Sequence, residues 1–521
     1  MPCRLLLFAL LSLCNVVVAA DPIHLTLRYR QETADGTERF HTLQREEQWQ
    51  PGETALILCD VWDSHHSHHA VLRVNELVPR LNEVTSNARN RGVTIIHAPS
   101  SCMEFYKSHA ARLRAQNMAA AGSYPDEIGS WCYKIPSEEQ GAYPIDQTDG
   151  GCDDEEAEHA AWLKELEGQG RNPKAPWVRQ HAGIEIDPER DFISDQGKEI
   201  WNILEARGIK NVILAGVHTN MCVLGRPFGL RQMARNGKNA VLMRDMTDTM
   251  YNPKQTPFVS HFTGTDLIVE HIEKWVCPTI TSTQFIGGED FKFKNDQRPH
   301  VVIISAESEY KTEVSLPKFA AEELGRDFKV SFVFDNAEDR NDIPGLFAVE
   351  SADVLFVSVR RRTLPSEQLA IIRKHITDGK PVVGIRTASH AFCLRNQPAP
   401  EGLADWPEFD AEVFGGSYAN HHNNKLQTTV HVTGDGALLD GIDRADFLSG
   451  GSLYMPSPLA EGCQVLMTGT VVDADPEPVA WTFTRQDGGK SFYTSLGHVS
   501  DFEQPSFRKL LLNGLHWAAQ Q

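Results

Sequence analysis

The stretch Asn211-Val212-Ile213-Leu214-Ala215-Gly216-Val217-His218-Thr219-Asn220-Met221-Cys222-Val223 joins an apolar run to a short polar loop that carries a cysteine. An uninterrupted apolar run of this length reads as a strand buried on both faces, as in a parallel sheet. A cysteine at the head of the next helix is a way for an α/β chain to present a nucleophile. The helix N-terminus offers partial positive charge and unsatisfied N–H groups, which lower a thiol's pKa and can hold an oxyanion. A small buried cysteine that only packs fits the same pattern, so the reading depends on what stands beside Cys222.

Outward from this loop the chain alternates strand and helix. Thr54-Ala55-Leu56-Ile57-Leu58-Cys59-Asp60 is a second apolar run, and it ends in an acid. Helical periodicity follows from Val71 to Arg91, then another buried strand at Gly92-Val93-Thr94-Ile95-Ile96-His97, which completes a β-α-β unit. Helices over 194–207 and 223–236 and a strand over 240–245 continue the alternation to about Cys277. Between Pro99 and Pro176 the pattern loosens into an acidic, glycine-containing insertion, expected to lie over the strand ends. A second α/β unit opens at His300-Val301-Val302-Ile303-Ile304-Ser305, with further strands at 329–334, 352–358, 380–385 and 491–496 and helices at 365–379 and 507–519.

The start of the chain differs in kind. Arg4 followed by LLLFALLSLCNVVVAA is a charged start, an apolar core and small residues before Asp21, the pattern of a secretory leader. The protein is therefore expected to be exported, periplasmic or extracellular, after cleavage near Ala20, with no transmembrane segment left in it. Alternating residues from Asp21 to Gln50 read as a hairpin that turns at Ala34-Asp35-Gly36. The expected organisation is a leader at 1–20, a β arm at 21–50, an α/β domain at 51–280, a linker at 281–298 and an α/β domain at 299–521. Both domains are expected to be doubly wound parallel sheets.

The net charge of -20 makes nucleic acid and anionic membranes poor partners, so a small-molecule substrate is the expected one, with homo-oligomer formation left open. Of ten cysteines, Cys3 and Cys14 fall in the leader; the others have irregular spacing and no C-x-x-C pair. Export permits disulfides, and Cys132 with Cys152, both in the loop-like insertion, are the best-placed pair.

Asp60, Arg179 and Cys222 make a candidate constellation, two of them at strand ends that a parallel sheet sets side by side. A carboxylate near a thiol can take its proton, and a cation can hold both in their charged forms. These residues resemble the isochorismatase-like cysteine hydrolases. The resemblance rests on Leu58-Cys59-Asp60, on Ile95-Ile96-His97 and above all on Gly216 to Val223, with Met243-Arg244-Asp245 and Thr247-Asp248 as the next strand and turn. It implies a three-layer sandwich and acyl transfer through a covalent intermediate: Cys222 the nucleophile, Asp60 the base, and the amides of Met221 and Cys222 the oxyanion hole. It also implies a cis peptide at Val217-His218. The family's lysine position carries Arg179 here, with Lys174 the alternative, and arginine cannot exchange a proton as lysine does. His218 and His97 are expected to contact substrate.

No cofactor is expected. The run Asp63-Ser64-His65-His66-Ser67-His68-His69 leaves a divalent metal at His65, His66 and His69 open, beside the alternative of a solvated or substrate-contacting cluster.

In the second unit, Gly379 to Phe392 and Ser495 to Phe502 resemble the ThuA-like trehalose-utilisation family, which implies a flavodoxin- or amidotransferase-like fold. The turn where amidotransferases carry their cysteine holds Arg386-Thr387-Ala388-Ser389, so amidotransferase chemistry is not expected. His390, His421, His422 and His498 could line a sugar or polyol pocket. Two functions follow as expectations: a cysteine hydrolase cleaving a C–N bond of a small amide or related acyl compound, or a catalytically degenerate carbohydrate-associated binding or scaffold protein.

Overall fold

The computed structural model describes residues 21–520, so the leader lies outside the described residues. Two multi-stranded sheets, each with its own apolar core, make a mixed α/β architecture. The first sheet contains β1 (Ile23–Glu32), β2 (Phe40–Trp49), β3 (Thr54–Cys59), β4 (Thr94–Ala98), β5 (Phe192-Ile193), β6 (Asn211–Val217), β7 (Asn239–Asp248) and β8 (Thr279-Ile280). Its order is β2-β1-β8-β7-β6-β3-β4-β5. From β8 to β5 all neighbours are parallel, while β1 and β2 form an antiparallel hairpin added beside β8.

Every residue of β3 and β6 is buried, as their unbroken apolar sequences require of strands covered on both faces. After β3 the chain builds outward through β4 and β5, then returns to the other side of β3 for β6. The gap beyond the carboxyl ends of β3 and β6 is thus a topological switch point, where open α/β sheets form their ligand crevices. Cys59 pairs in register with Gly216. Gly216 has φ 107°, and a Cβ there would strike the Cys59 carbonyl oxygen, so only glycine lets the two strands close up at this point.

The second sheet contains β9 (His300–Ala306), β10 (Lys329–Phe334), β11 (Val354–Val359), β12 (Val382–Ile385), β14 (Thr428–Val432), β15 (Phe447–Ser449), β17 (Cys463–Thr470), β18 (Glu477–Thr484) and β19 (Lys490–Thr494). β13 (Asn420-His421) and β16 (Tyr454-Met455) make a separate short ribbon. The order β10-β9-β11-β12-β19 is parallel, and β18-β17-β14-β15 extends it with antiparallel strands. The parallel part matches the expectation; the antiparallel extension is an addition to it. β14 and β15 are short, with 5 and 3 residues, and β17 and β18, though 8 residues each, mix polar residues, glycine and proline into their runs and so do not read as strands in the sequence.

The helix expected over 223–236 is interrupted. A single wide turn, Thr219–Val223, runs through Leu224-Gly225 into a break that starts at Arg226-Pro227, and a regular helix resumes only at Leu230–Arg235. Pro227 lacks the N–H that a continuing helix needs and disfavours helical backbone at Arg226. No helix among the described residues is long and apolar enough to cross a membrane.

Candidate active site

Asp60 leaves the end of β3 in a left-handed conformation, φ 49°, that turns its carboxylate into the crevice. It is fully buried, and both oxygens are engaged: Oδ1 accepts from Ser100 N at 2.7 Å and Oδ2 from Arg226 Nε at 3.0 Å. The Cys222 thiol is coupled to this same pair, Asp60 raising it and Arg226 lowering it. Burial, reinforced by the Asp60 charge, pushes the thiol well above its ordinary value. Burial also raises Asp60, while Arg226 opposes that shift. The lowered thiol pKa expected from a helix N-terminus is therefore corrected: the loop is one wide turn, and loss of water outweighs its dipole.

The cation beside Asp60 is Arg226, not Arg179 or Lys174. The Arg179 guanidinium lies over the Phe105 ring at 5.5 Å, and its backbone bonds to Asp63. Lys174 is exposed in a turn. Arg226 is reachable because the break before Pro227 directs it back over the loop, under the Trp131 ring at 5.2 Å. A proline four residues after the helix was expected to start was the available signal.

The Val217-His218 peptide is cis. The loop that follows is pinned from several sides. Thr219 Oγ1 donates to Asp248 O at 2.9 Å, Asn220 Nδ2 donates to Met250 O at 2.9 Å and Gln147 Oε1 at 2.8 Å, and Tyr143 Oη donates to Asn220 O at 3.3 Å. Trp131, Tyr143 and Gln147 belong to the insertion, which does lie over the strand ends. Of the two amides expected as an oxyanion hole, Met221 N–H already donates to His218 O at 3.1 Å.

A narrow cleft beside Asp60 is lined by Trp62, Ser64, His65, Val217 and His218. Trp62 stacks on Trp177 with ring centroids 4.3 Å apart, and His65 lies 4.8 Å from His218 and 4.0 Å from His66. Burial lowers His65 and takes His218 down to about 4, so both rings are neutral at physiological pH. Among the described residues, His218 Nε2 and Ser64 Oγ are buried without a hydrogen-bond partner. Unmet polar atoms in one small region are what a polar ligand satisfies.

His97, expected at the substrate, is fully buried, with Nε2 3.0 Å from Asp191 Oδ2 and Nδ1 3.0 Å from Gln180 Nε2. Being inside β4 rather than beyond its end, it faces the core and supports a buried Arg89–Asp191 pair.

The three histidines considered for a metal also diverge. His65 meets His66 and His218 at tilted ring angles, whereas His69 turns to Asp153 at 3.4 Å and Glu158 at 3.1 Å. Among the described residues, the groups with metal-like spacing are Cys152–Asp154–His159 and His69–Asp153–Asp154. Both depend on Asp154, whose oxygens accept from His68 N at 2.8 Å, His69 N at 2.9 Å and Ser67 Oγ at 2.9 Å, capping the helix His68–Arg91. Cys132 and Cys152 are free thiols in different surroundings, Cys132 at 3.8 Å from Arg235 Nη1 and Cys152 at 3.6 Å from His159 Nδ1. The expected disulfide is therefore absent.

Residues 300–518 match the family model ThuA, described as trehalose utilisation. Among solved structures, a ThuA-like protein from Bacteroides uniformis is 14% identical, with 44% of this chain and 95% of that one covered and a TM-score of 0.32. A cysteine hydrolase from Pseudomonas syringae pv. phaseolicola is 15% identical over 45% of this chain and 92% of its own, with a TM-score of 0.27. An isochorismatase from Pseudomonas putida is 12% identical over 45% and 91%, also with a TM-score of 0.27. No curated protein matched the chain. The chain is a two-domain α/β protein whose residues 300–518 match the ThuA family and whose structural neighbours include isochorismatase-family proteins.

Proposed function

We propose that the first α/β half is an exported hydrolase that opens the C–N bond of a small, uncharged amide through a covalent intermediate on Cys222. The observation that carries this reading is the meeting of Asp60, Arg226 and Cys222 at the β3/β6 switch point. In the resting state the sulfur is a thiol. As it attacks the carbonyl carbon, Asp60 accepts its proton and then passes that proton to the departing nitrogen. Water adds to the acyl-thioester with Asp60 as base, and the thiolate leaves and recovers its proton. Arg226 keeps Asp60 ionised and, being always protonated, leaves Asp60 as the sole proton carrier. With Met221 N–H held inside the loop, the Cys222 amide is the group assigned to the developing oxyanion.

An uncharged substrate follows from the walls. Arg226 and Arg73 are both paired with carboxylates, the imidazoles are neutral, and the unmet atoms are His218 Nε2 and Ser64 Oγ. The Trp62–Trp177 stack limits the acyl group to a small one.

The test is ammonia release from a panel of small primary amides and ureido compounds by the wild type and by Cys222→Ala. Turnover lost in the variant is the expected result; turnover that persists unchanged removes Cys222 from the reaction.

A further inference from the structure

The second sheet has its own switch point. The chain goes from β9 out to β10 and returns to the far side of β9 for β11, so the carboxyl ends of β9 and β11 border a crevice position. Three segments meet there: Glu307–Tyr310 after β9, Arg360-Arg361 after β11, and Arg386–His390 after β12. Arg361 and Arg386 both have left-handed backbones, with φ 48° and 44°, a conformation concentrated where function demands it.

Arg386 is 2% exposed, the deepest of the buried arginines. Arg73, Arg89, Arg112 and Arg231 in the first half each pair with a carboxylate, and so do Arg298, Arg362 and Arg485. Arg386 has no such partner among the described residues. Its guanidinium lies between the rings of Tyr310, at 4.6 Å, and Tyr454, at 4.3 Å. It donates to Ser495 O at 2.7 Å, to Ser452 O at 3.2 Å, to Ser452 Oγ at 3.2 Å and to Tyr310 Oη at 3.3 Å, while Nε is buried with no acceptor among the described residues. Asp501, the acid that acts on it from a distance, is committed to Ser449 Oγ and the amides of Gly450, Gly497 and His498. A buried cation without a counter-ion is costly, and an anion from outside the chain removes that cost.

The surroundings repeat the request. Four guanidiniums, those of Arg361, Arg360, Arg386 and Arg395, act on His390. Arg360 is paired with Glu309 at 2.6 Å, but Arg361 and Arg395 have no carboxylate partner among the described residues. This concentration of positive charge occurs in a chain of net charge -20. His390 stacks on Tyr418 with centroids 4.6 Å apart, shares Nδ1 with Ser389 Oγ at 3.1 Å, and has no hydrogen-bond partner for Nε2 among the described residues. Half-buried Tyr310, Arg361, Tyr418 and His498 form the rim. The loop above carries Gly450-Gly451, and a Cβ on Gly451 would come within 2.7 Å of the Arg386 Cζ, so the loop approaches this closely only without side chains.

We propose that the carboxyl end of β9, β11 and β12 is a second ligand site, separate from Cys222, for a small ring-bearing oxyanion, either a carboxylate or a phosphate monoester. Arg386 and Arg361 bind the charged group, the Tyr418–His390 pair receives the ring, and His390 Nε2 supplies a further hydrogen bond. The anion discriminates, because a neutral ring leaves Arg386 uncompensated.

Isothermal titration of the full-length protein at low ionic strength tests this with glucuronate, glucose 6-phosphate and glucose, which share a ring and differ in charge. At least one charged probe should bind about tenfold or more tighter than glucose. Arg361→Gln, a change at the rim, should weaken that binding about tenfold with an unchanged Tm, and Arg386→Lys should weaken it also. Cys222→Ala should leave the affinity unaltered, which separates this site from the hydrolase reading. Preference for glucuronate or for glucose 6-phosphate identifies the charged group, and either supports the site. Equal affinity for charged and neutral probes, no binding by any of them, wild-type affinity in Arg361→Gln, or binding lost in Cys222→Ala would overturn it.

Discussion

Arg226 Nε lies 3.0 Å from Asp60 Oδ2, an ion pair that joins residues 166 positions apart and whose two charges both act on the Cys222 thiol. Asp60 is fully buried, so its charge depends on that one cation and on the Ser100 amide. Removing the guanidinium leaves a buried carboxylate that is relieved only by taking up a proton, which ends its use as a base.

Arg226→Gln is therefore expected to lower kcat/KM by about 10²-fold or more and to destabilise the fold by about 3 kcal/mol. Arg179→Gln, which touches only a ring and a surface loop, should shift stability by no more than about 0.5 kcal/mol and leave turnover near wild type. Steady-state kinetics and thermal melts on both variants check this pair.

Cys222 should alkylate slowly in the resting protein. With its thiol pushed upward by burial and by Asp60, the thiolate fraction at neutral pH is small, and the iodoacetamide rate should still be climbing at alkaline pH where an ordinary exposed thiol has levelled off. In Asp60→Asn the rise should shift to lower pH, because the neighbouring negative charge is gone. Peptide-level mass spectrometry across a pH series separates Cys222 from the other thiols.

Glu138 ties the insertion to the helix after the nucleophile loop, accepting from Arg231 Nε at 2.8 Å and Nη2 at 2.7 Å, with His271 Nε2 at 2.9 Å. Burial acts to raise it, but His271 and Arg231 outweigh that and hold it at about 2, below the ordinary 4.5. The folded form thus binds fewer protons than the unfolded one between these values. The resulting stability is complete above pH 4.5 and is lost as pH falls toward about 2. Glu138→Gln should flatten this part of the stability–pH curve, as read by urea melts from pH 5 to pH 2.5.

His97→Gln should cost stability rather than catalysis. The ring is committed to the Arg89–Asp191 pair through Nε2 and to Gln180 through Nδ1, which leaves neither nitrogen for a substrate. A melt lowered by several degrees with kcat near wild type is the expected outcome, and a selective loss of kcat would return His97 to the substrate.

Legibility in the sequence followed local chemistry. Asp60 and Cys222 could be found because Asp60 ends one unbroken apolar run and Cys222 sits in the short loop after another, and adjacent parallel strands bring such ends together without further information. Arg226 could not, because its position depends on how a wide turn and Pro227 reorient the chain, and the apolar periodicity on either side hid that break. His97 misled for a related reason: a residue inside a strand and one just beyond its end look alike in sequence, yet β4 places the first in the core. The antiparallel half of the second sheet was invisible because pairings such as β14 with β17 are set by partners far along the chain.

The most direct test of the central claim is rapid acid quenching of wild-type protein with a turned-over amide, followed by peptide mass spectrometry. A mass increase equal to the acyl group is expected on the peptide containing Cys222, with no adduct in Cys222→Ala. Amide consumed with no acyl mass on Cys222, at a rate unchanged in Cys222→Ala, would contradict it.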